Sequence, residues 1–170
     1  MELFKASALT YSQVLEPEAF VAFARILFEV LHGATPEGTV RLVSLSRPIM
    51  AALEATMTER SDGAPETVER LGGGWVAEET LAIAVYAARV GHDVEQGLQI
   101  AVTHGGDSDS TGAVAGNLLG LLHPAETLAH QWWSEIECAD LIDRIARDLA
   151  AAREPGNGFA EVYCDRYPGF

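Results

Sequence analysis

Cysteine is scarce in this chain: Cys138 and Cys164 are the only two among 170 residues. They form no Cys-x-x-Cys pair, so a structural zinc site has no support. With no signal peptide ahead of them, the expected compartment is the reducing cytoplasm. Long apolar runs are missing as well. The longest uncharged stretch, Ser110 to Pro124, is interrupted by Asn117 and His123 and falls short of the roughly 18 apolar residues that a membrane span needs. Positive charge is the third shortage. Eleven Lys plus Arg face twenty-five Asp plus Glu, for a net charge of −14 and a pI near 4.6. Such a surface repels phosphate backbones and draws in divalent cations, which excludes sequence-independent binding to nucleic acid. Alternating strand patterns, internal repeats and low-complexity tracts are also lacking.

What is present is a helical pattern in a chain of globular composition. Hydrophobic residues make up 48% of the sequence, and the length suits one domain, residues 1–170, with a sizeable core. From Glu16 to Leu31 the positions Phe20, Phe23, Leu27, Val30 and Leu31 recur at helical steps and predict an inward face, with Gly33 as the stop. Thr35-Pro36 opens a second helix carrying Val40, Val43 and Leu45, which Arg47-Pro48 breaks or kinks. Ile49 to Met57 continues with Ile49 and Leu53 on one face, and Pro65 to Leu71 reads as a short helix closed by Gly72-Gly73-Gly74.

Val76 to Val90 is apolar nearly all round and predicts a helix buried on most sides, with Glu78 and Glu79 suited to the positive end of its dipole. A further helix runs from about Asp93 to Val102. After the loop that follows, Gly112, Gly116 and Gly120 lie four apart, a stripe that predicts close approach of another helix backbone. Asp140 to Ala152 reads as a surface helix, and Gly156 to Phe170 as an irregular tail. The expected fold is all-α.

The chemistry concentrates in Thr103-His104-Gly105-Gly106-Asp107-Ser108-Asp109-Ser110-Thr111-Gly112. The Gly pair allows a sharp turn, and a helix is expected from Ser110 or Thr111. Asp107 and Asp109 repel each other across one residue, and a cation between them relieves the repulsion. The Ser110 hydroxyl adds a third hard oxygen, so the loop reads as part of a divalent-metal site. An EF-hand begins with the same spacing but needs Glu at its twelfth position, where Leu118 stands. An aspartyl phosphatase would use Asp107 as nucleophile directly after a strand, whereas the preceding residues look helical. The plainest rival is a helix-capping loop whose acids only complement a dipole.

Two stretches, Leu71-Gly-Gly-Gly-Trp75-Val-Ala-Glu78-Glu79-Thr-Leu-Ala-Ile-Ala and Ala101-Val-Thr-His-Gly-Gly-Asp107-Ser-Asp109-Ser-Thr-Gly-Ala-Val-Ala-Gly-Asn117-Leu-Leu-Gly, resemble the C-terminal half of the ADP-ribosylglycohydrolase family over about residues 65–150. The resemblance implies an all-helical hydrolase that removes ADP-ribose from proteins or small molecules with two magnesium ions, manganese being the alternative. Its metal motif maps onto Asp107, Asp109 and Ser110. Substrate contacts are implied at Gly105, Gly106 and Ser108, while Trp75 and Glu78 read as loop architecture or cleft wall.

The departures shape the expected partners. Family members resemble one another over nearly twice this length, and the remainder carries an acid that assists catalysis and a Thr-Asp-Asp stretch. No Thr-Asp-Asp occurs here, and Leu9-Thr10-Tyr11 puts tyrosine where histidine is expected. No catalytic acid is therefore assigned to this chain. Either a separate chain or another copy completes the site, or the protein is a truncated, non-catalytic remnant that binds ADP-ribose or a partner helix. His104 caps a helix end or reaches a ligand; His32, His92, His123 and His130 have no ligand spacing, and Trp132-Trp133 reads as packing.

Overall fold

The computed structural model describes residues 15–40, 46–152 and 166–167. The expectations for Val43, Leu45, Leu9-Thr10-Tyr11, Cys164 and most of the tail lie outside these residues. Every regular element among the described residues is helical. The division into two compact units falls between Leu128 and Ala129.

In the first unit the helices are α1 (Leu15–Leu31), α2 (Pro36–Val40), α3 (Arg47–Thr58), α4 (Pro65–Glu69), α5 (Ala77–Val90), α6 (Val94–Val102) and α7 (Ser108–Leu122). A short α8 (Pro124–Ala129) follows. α5 is the axis of the bundle. Its residues Leu81 to Ala87 are all at most 2% exposed, because α1, α3, α6 and α7 pack around it. A helix with no polar face can persist only when enclosed in this way, and each large side chain such as Ile83 contributes about 1.5–3 kcal/mol by its burial. The hydroxyl of the buried Tyr86 of α5 donates to Arg60 O at 2.6 Å and accepts from Gly63 N–H at 3.2 Å.

Two expectations need correction. The inward face of α1 is Ala19, Ala22, Ile26 and Val30, at most 7% exposed, whereas Phe20 and Leu31 are 43% and 54% exposed. Small alanines let α1 lie close to α5, and the larger rings are turned aside by that proximity. The glycine stripe of α7 does not meet another backbone. A Cβ on Gly112 would lie 2.8 Å from the Val102 side chain, and on Gly116 and Gly120 3.8 and 3.9 Å from Leu98 and Thr127 side chains. Backbones do touch at Gly91 and Gly97, where a Cβ on Gly91 would lie 2.6 Å from the Gly97 Cα.

α6 begins as its sequence anticipates: the Asp93 carboxylate accepts from Gln96 N–H at 2.7 Å and caps the first turn. α7 starts at Ser108, two residues earlier than expected. Asp109 and Ser110 thus stand in its first turn, not in the loop.

The second unit holds a 3-10 turn (Gln131–Ser134) and α9 (Ala139–Ala152), with Arg166 and Tyr167 both bonded to Asp148 of α9. Leu141, Ile142, Ile145 and Leu149 of α9 are between 37% and 54% exposed. No helix among the described residues is long and apolar enough to cross a membrane.

Candidate functional site

The turn from α6 into α7 is held by polar groups that leave few free bonds. Thr111, fully buried in the first turns of α7, donates its hydroxyl to Ala101 O at 2.7 Å. Ser108 donates its hydroxyl to Val102 O at 2.9 Å. The carbonyls at the end of α6, which have no helical partner of their own, are satisfied by the helix that follows. His104 bridges the two: Nε2 lies 3.0 Å from Ala101 O and 3.1 Å from Thr111 Oγ1, and Nδ1 accepts from Gly106 N–H at 3.1 Å.

A second loop is lodged against this one. Asp107 N–H donates to Gly73 O at 2.7 Å. A Cβ on Gly106 would stand 2.6 Å from the Gly73 carbonyl carbon and nearer still to its oxygen, so only glycine fits. Gly74, at φ +75°, packs its Cα hydrogens where a Cβ would lie 2.7 Å from the Thr111 methyl. On the other side Glu79 accepts from Gly73 N–H at 3.0 Å, and Thr80 donates to Gly74 O at 2.8 Å. The glycine loop is thereby fixed to the start of α5, and through Asp107 to the start of α7.

This docking opens a cleft of about 370 Å³ whose walls include Phe20 and Phe23 of α1, Trp75, and Val114 of α7. Asp107 and Ser110 line the same cleft. Among the described residues no Lys or Arg lines it. Asp107 occupies the cap position of α7. Hydrogen bonding with the Asp109 side chain, and next with the side chain and then the backbone N–H of Ser110, holds the Asp107 carboxyl below the ordinary aspartate value.

Of the residues singled out in the sequence, Asp107, Ser110 and Trp75 share the cleft, and Asp109 reaches it through Asp107. Trp75 is 72% exposed. Glu78, Gly105, Gly106 and Ser108 stand outside the lining. Gly105 N–H donates to Glu69 Oε1 at 3.3 Å, Gly106 makes room for Gly73, and the Ser108 hydroxyl closes the end of α6. Glu79, read as a dipole partner, is the group that anchors the glycine loop. Phe20, Phe23, Gly73, Gly74, Thr80 and Thr111 were not singled out as site residues. The contacts of Gly73 and Gly74 with the Asp107–Thr111 segment join residues more than 30 positions apart, and a glycine that receives a carbonyl looks, in a sequence, like a glycine that ends a helix. The loop leaves a helix, α6, and so lacks the strand that an aspartyl phosphatase places before its nucleophile.

Two neighbouring carboxyl groups and a hydroxyl beside them are hard oxygens of the kind a divalent cation takes. Among the described residues no group of three or more His, Cys, Asp or Glu is assembled.

The family model for ADP-ribosylglycohydrolase matches residues 4–158, a longer stretch than the 65–150 of the sequence resemblance. Neither a curated protein nor a solved structure matches the chain.

Proposed function

The chain belongs to the ADP-ribosylglycohydrolase family, and on that premise we propose that it is a magnesium-dependent hydrolase of the N- or O-glycosidic bond between ADP-ribose and a modified protein or small molecule. What supports this reading most is the ionised Asp107, paired with Asp109 and beside Ser110, at the wall of an otherwise apolar cleft. An ADP-ribosyl group carries a negatively charged diphosphate, and in a protein of net charge −14, with no Lys or Arg among the described residues that line the cleft, a bound cation is the group that would meet it. Asp107, Asp109 and Ser110 would hold magnesium, or manganese. When bound, the metal supplies fixed positive charge beside the sugar hydroxyls, which favours an oxocarbenium-like transition state over the ground state.

The protein's own groups do the rest. Asp107 stays charged at neutral pH, so its oxygens are available without a proton to displace. Phe20, Phe23 and Trp75 give the cleft an apolar wall against which a ring of the ligand could stack. The Gly73 to Asp107 hydrogen bond keeps the acid pair at a fixed distance from that wall. The working compartment on this reading is the cytoplasm, where an exposed, unpaired Cys138 stays reduced.

The test is release of free ADP-ribose from an ADP-ribosylated protein with magnesium, by the chain alone and mixed with a separate chain carrying a Thr-Asp-Asp segment. Release that disappears with chelator and in Asp109→Ala supports the proposal. No release in either mixture refutes enzymatic activity. A second reading is favoured by the small donor set among the described residues: a module that binds ADP-ribose without cleaving it, or whose shell a second copy or another chain completes. Calorimetry with ADP-ribose, together with a mass measurement in solution, separates these, and a ligand-silent monomer excludes both.

A further inference from the structure

We propose that His104 is a positioning residue for the cation-binding end of the cleft, acting through the Gly106 amide on Asp107. The proposal rests on the reading of Asp107, Asp109 and Ser110 as cation ligands and goes beyond it, since His104 is itself no ligand and does not line the cleft.

The hydrogen bonds determine the imidazole's form. Gly106 N–H can only donate, so the Nδ1 it reaches at 3.1 Å must carry a lone pair. A neutral ring then has its hydrogen on Nε2, where both neighbours within 3.1 Å, Ala101 O and Thr111 Oγ1, can accept it. Both ring nitrogens are thus engaged, one with the last turn of α6 and the other with the residue before Asp107. From Gly106 onward the backbone is pinned a second time, because the next amide, Asp107 N–H, donates to Gly73 O at 2.7 Å. Two consecutive amides held from opposite sides leave the Asp107 Cα little freedom. The acid pair can then face a cation without an entropic cost of ordering the loop at the moment of binding.

The imidazole does this from a half-buried place beneath the turn. An aliphatic side chain there could fill the volume but could not accept from Gly106 N–H, which would be left without its partner. Asparagine, whose Oδ1 lies near the place of Nδ1, keeps the acceptor.

The test compares wild type, His104→Leu and His104→Asn in two measurements at a temperature where all three are folded by circular dichroism. The first, without metal, is amide hydrogen exchange at Gly106 and Asp107 by nuclear magnetic resonance. Faster exchange is expected at these two amides in His104→Leu, and near wild-type protection in His104→Asn. The second is titration with Mn²⁺ alone. Positioning partners of metal ligands typically change affinity by about 10–100-fold, so a loss in that range is expected in His104→Leu, with recovery of most of it in His104→Asn. A change in global stability without these local effects, or a His104→Leu variant that binds Mn²⁺ as wild type does, overturns the proposal. So does a His104→Asn variant as impaired as His104→Leu. Wild type that binds no Mn²⁺ is a different failure: it removes the cation reading itself, and the positioning role with it.

Discussion

Replacing Gly106 by alanine tests the docking of the two loops on which the cleft depends. The added methyl would stand 2.6 Å from the Gly73 carbonyl carbon and 2.8 Å from its Cα, both backbone atoms that no side-chain rotation can move aside. Ordinary carbon contacts are near 3.5–4.0 Å, so the glycine loop must retreat by about an ångström. That retreat breaks the 2.7 Å bond from Asp107 N–H to Gly73 O. Overpacking costs about 1–3 kcal/mol and the lost bond about 1 kcal/mol, so a destabilisation of about 2–4 kcal/mol is expected. For a chain of this size that lowers Tm by roughly 5–15 °C, measurable by calorimetry or circular dichroism. Gly105→Ala is the matched control: its Cβ meets only Glu69 Oε1 at 3.5 Å, and the cost should stay within about 0.5 kcal/mol. A Gly106→Ala protein as stable as wild type, or a Gly105→Ala protein equally damaged, would refute the account of how the loops fit together.

Three further outcomes are expected. Thr111→Val removes a buried hydroxyl while keeping its shape; the Ala101 carbonyl retains His104, so the loss should be about 1 kcal/mol, seen as a fall in Tm of about 2–4 °C. Trp75→Ala should leave stability within about 0.5 kcal/mol, since the ring is 72% exposed, yet raise the Kd for ADP-ribose severalfold in a calorimetric titration; an unchanged Kd would place the ring outside the ligand's reach. For Asp107 the folded-state pKa lies below the ordinary aspartate value. Its carboxylate therefore favours the fold above the unfolded value near 3.9, and that contribution is lost as pH falls through the lowered folded value. Asp107→Asn should in consequence flatten the acid limb of stability below about pH 4 and abolish Mn²⁺ binding at neutral pH.

The sequence by itself determined the helical class and most boundaries of the long helices. A helix with no polar side, Val76 to Val90, has to be surrounded by others, and α5 is. The run of Asp107, Asp109 and Ser110 after two glycines is legible as a cluster of oxygen donors because carboxylate spacing is a local property, and the helix before it, α6, removes the phosphatase reading. Periodicity alone could not phase α1, where the apolar residues outnumber the places facing α5. Ala19 and Ala22 won those places over Phe20 because helix–helix distance, a property of the packed pair, decides which side chain fits.

Only the tertiary structure decided what the glycines are for. Gly106 and Gly73 are 33 positions apart in the chain, and the stripe at Gly112, Gly116 and Gly120 advertised a backbone approach that occurs instead at Gly73 and Gly106 and at Gly91 and Gly97. A missing side chain records that something comes near without recording what. His104, Thr111 and Glu79 find their partners within ten residues, in the turn from α6 to α7 and in the loop before α5, but which backbone groups those are depends on how the turns fold and is not set by residue type.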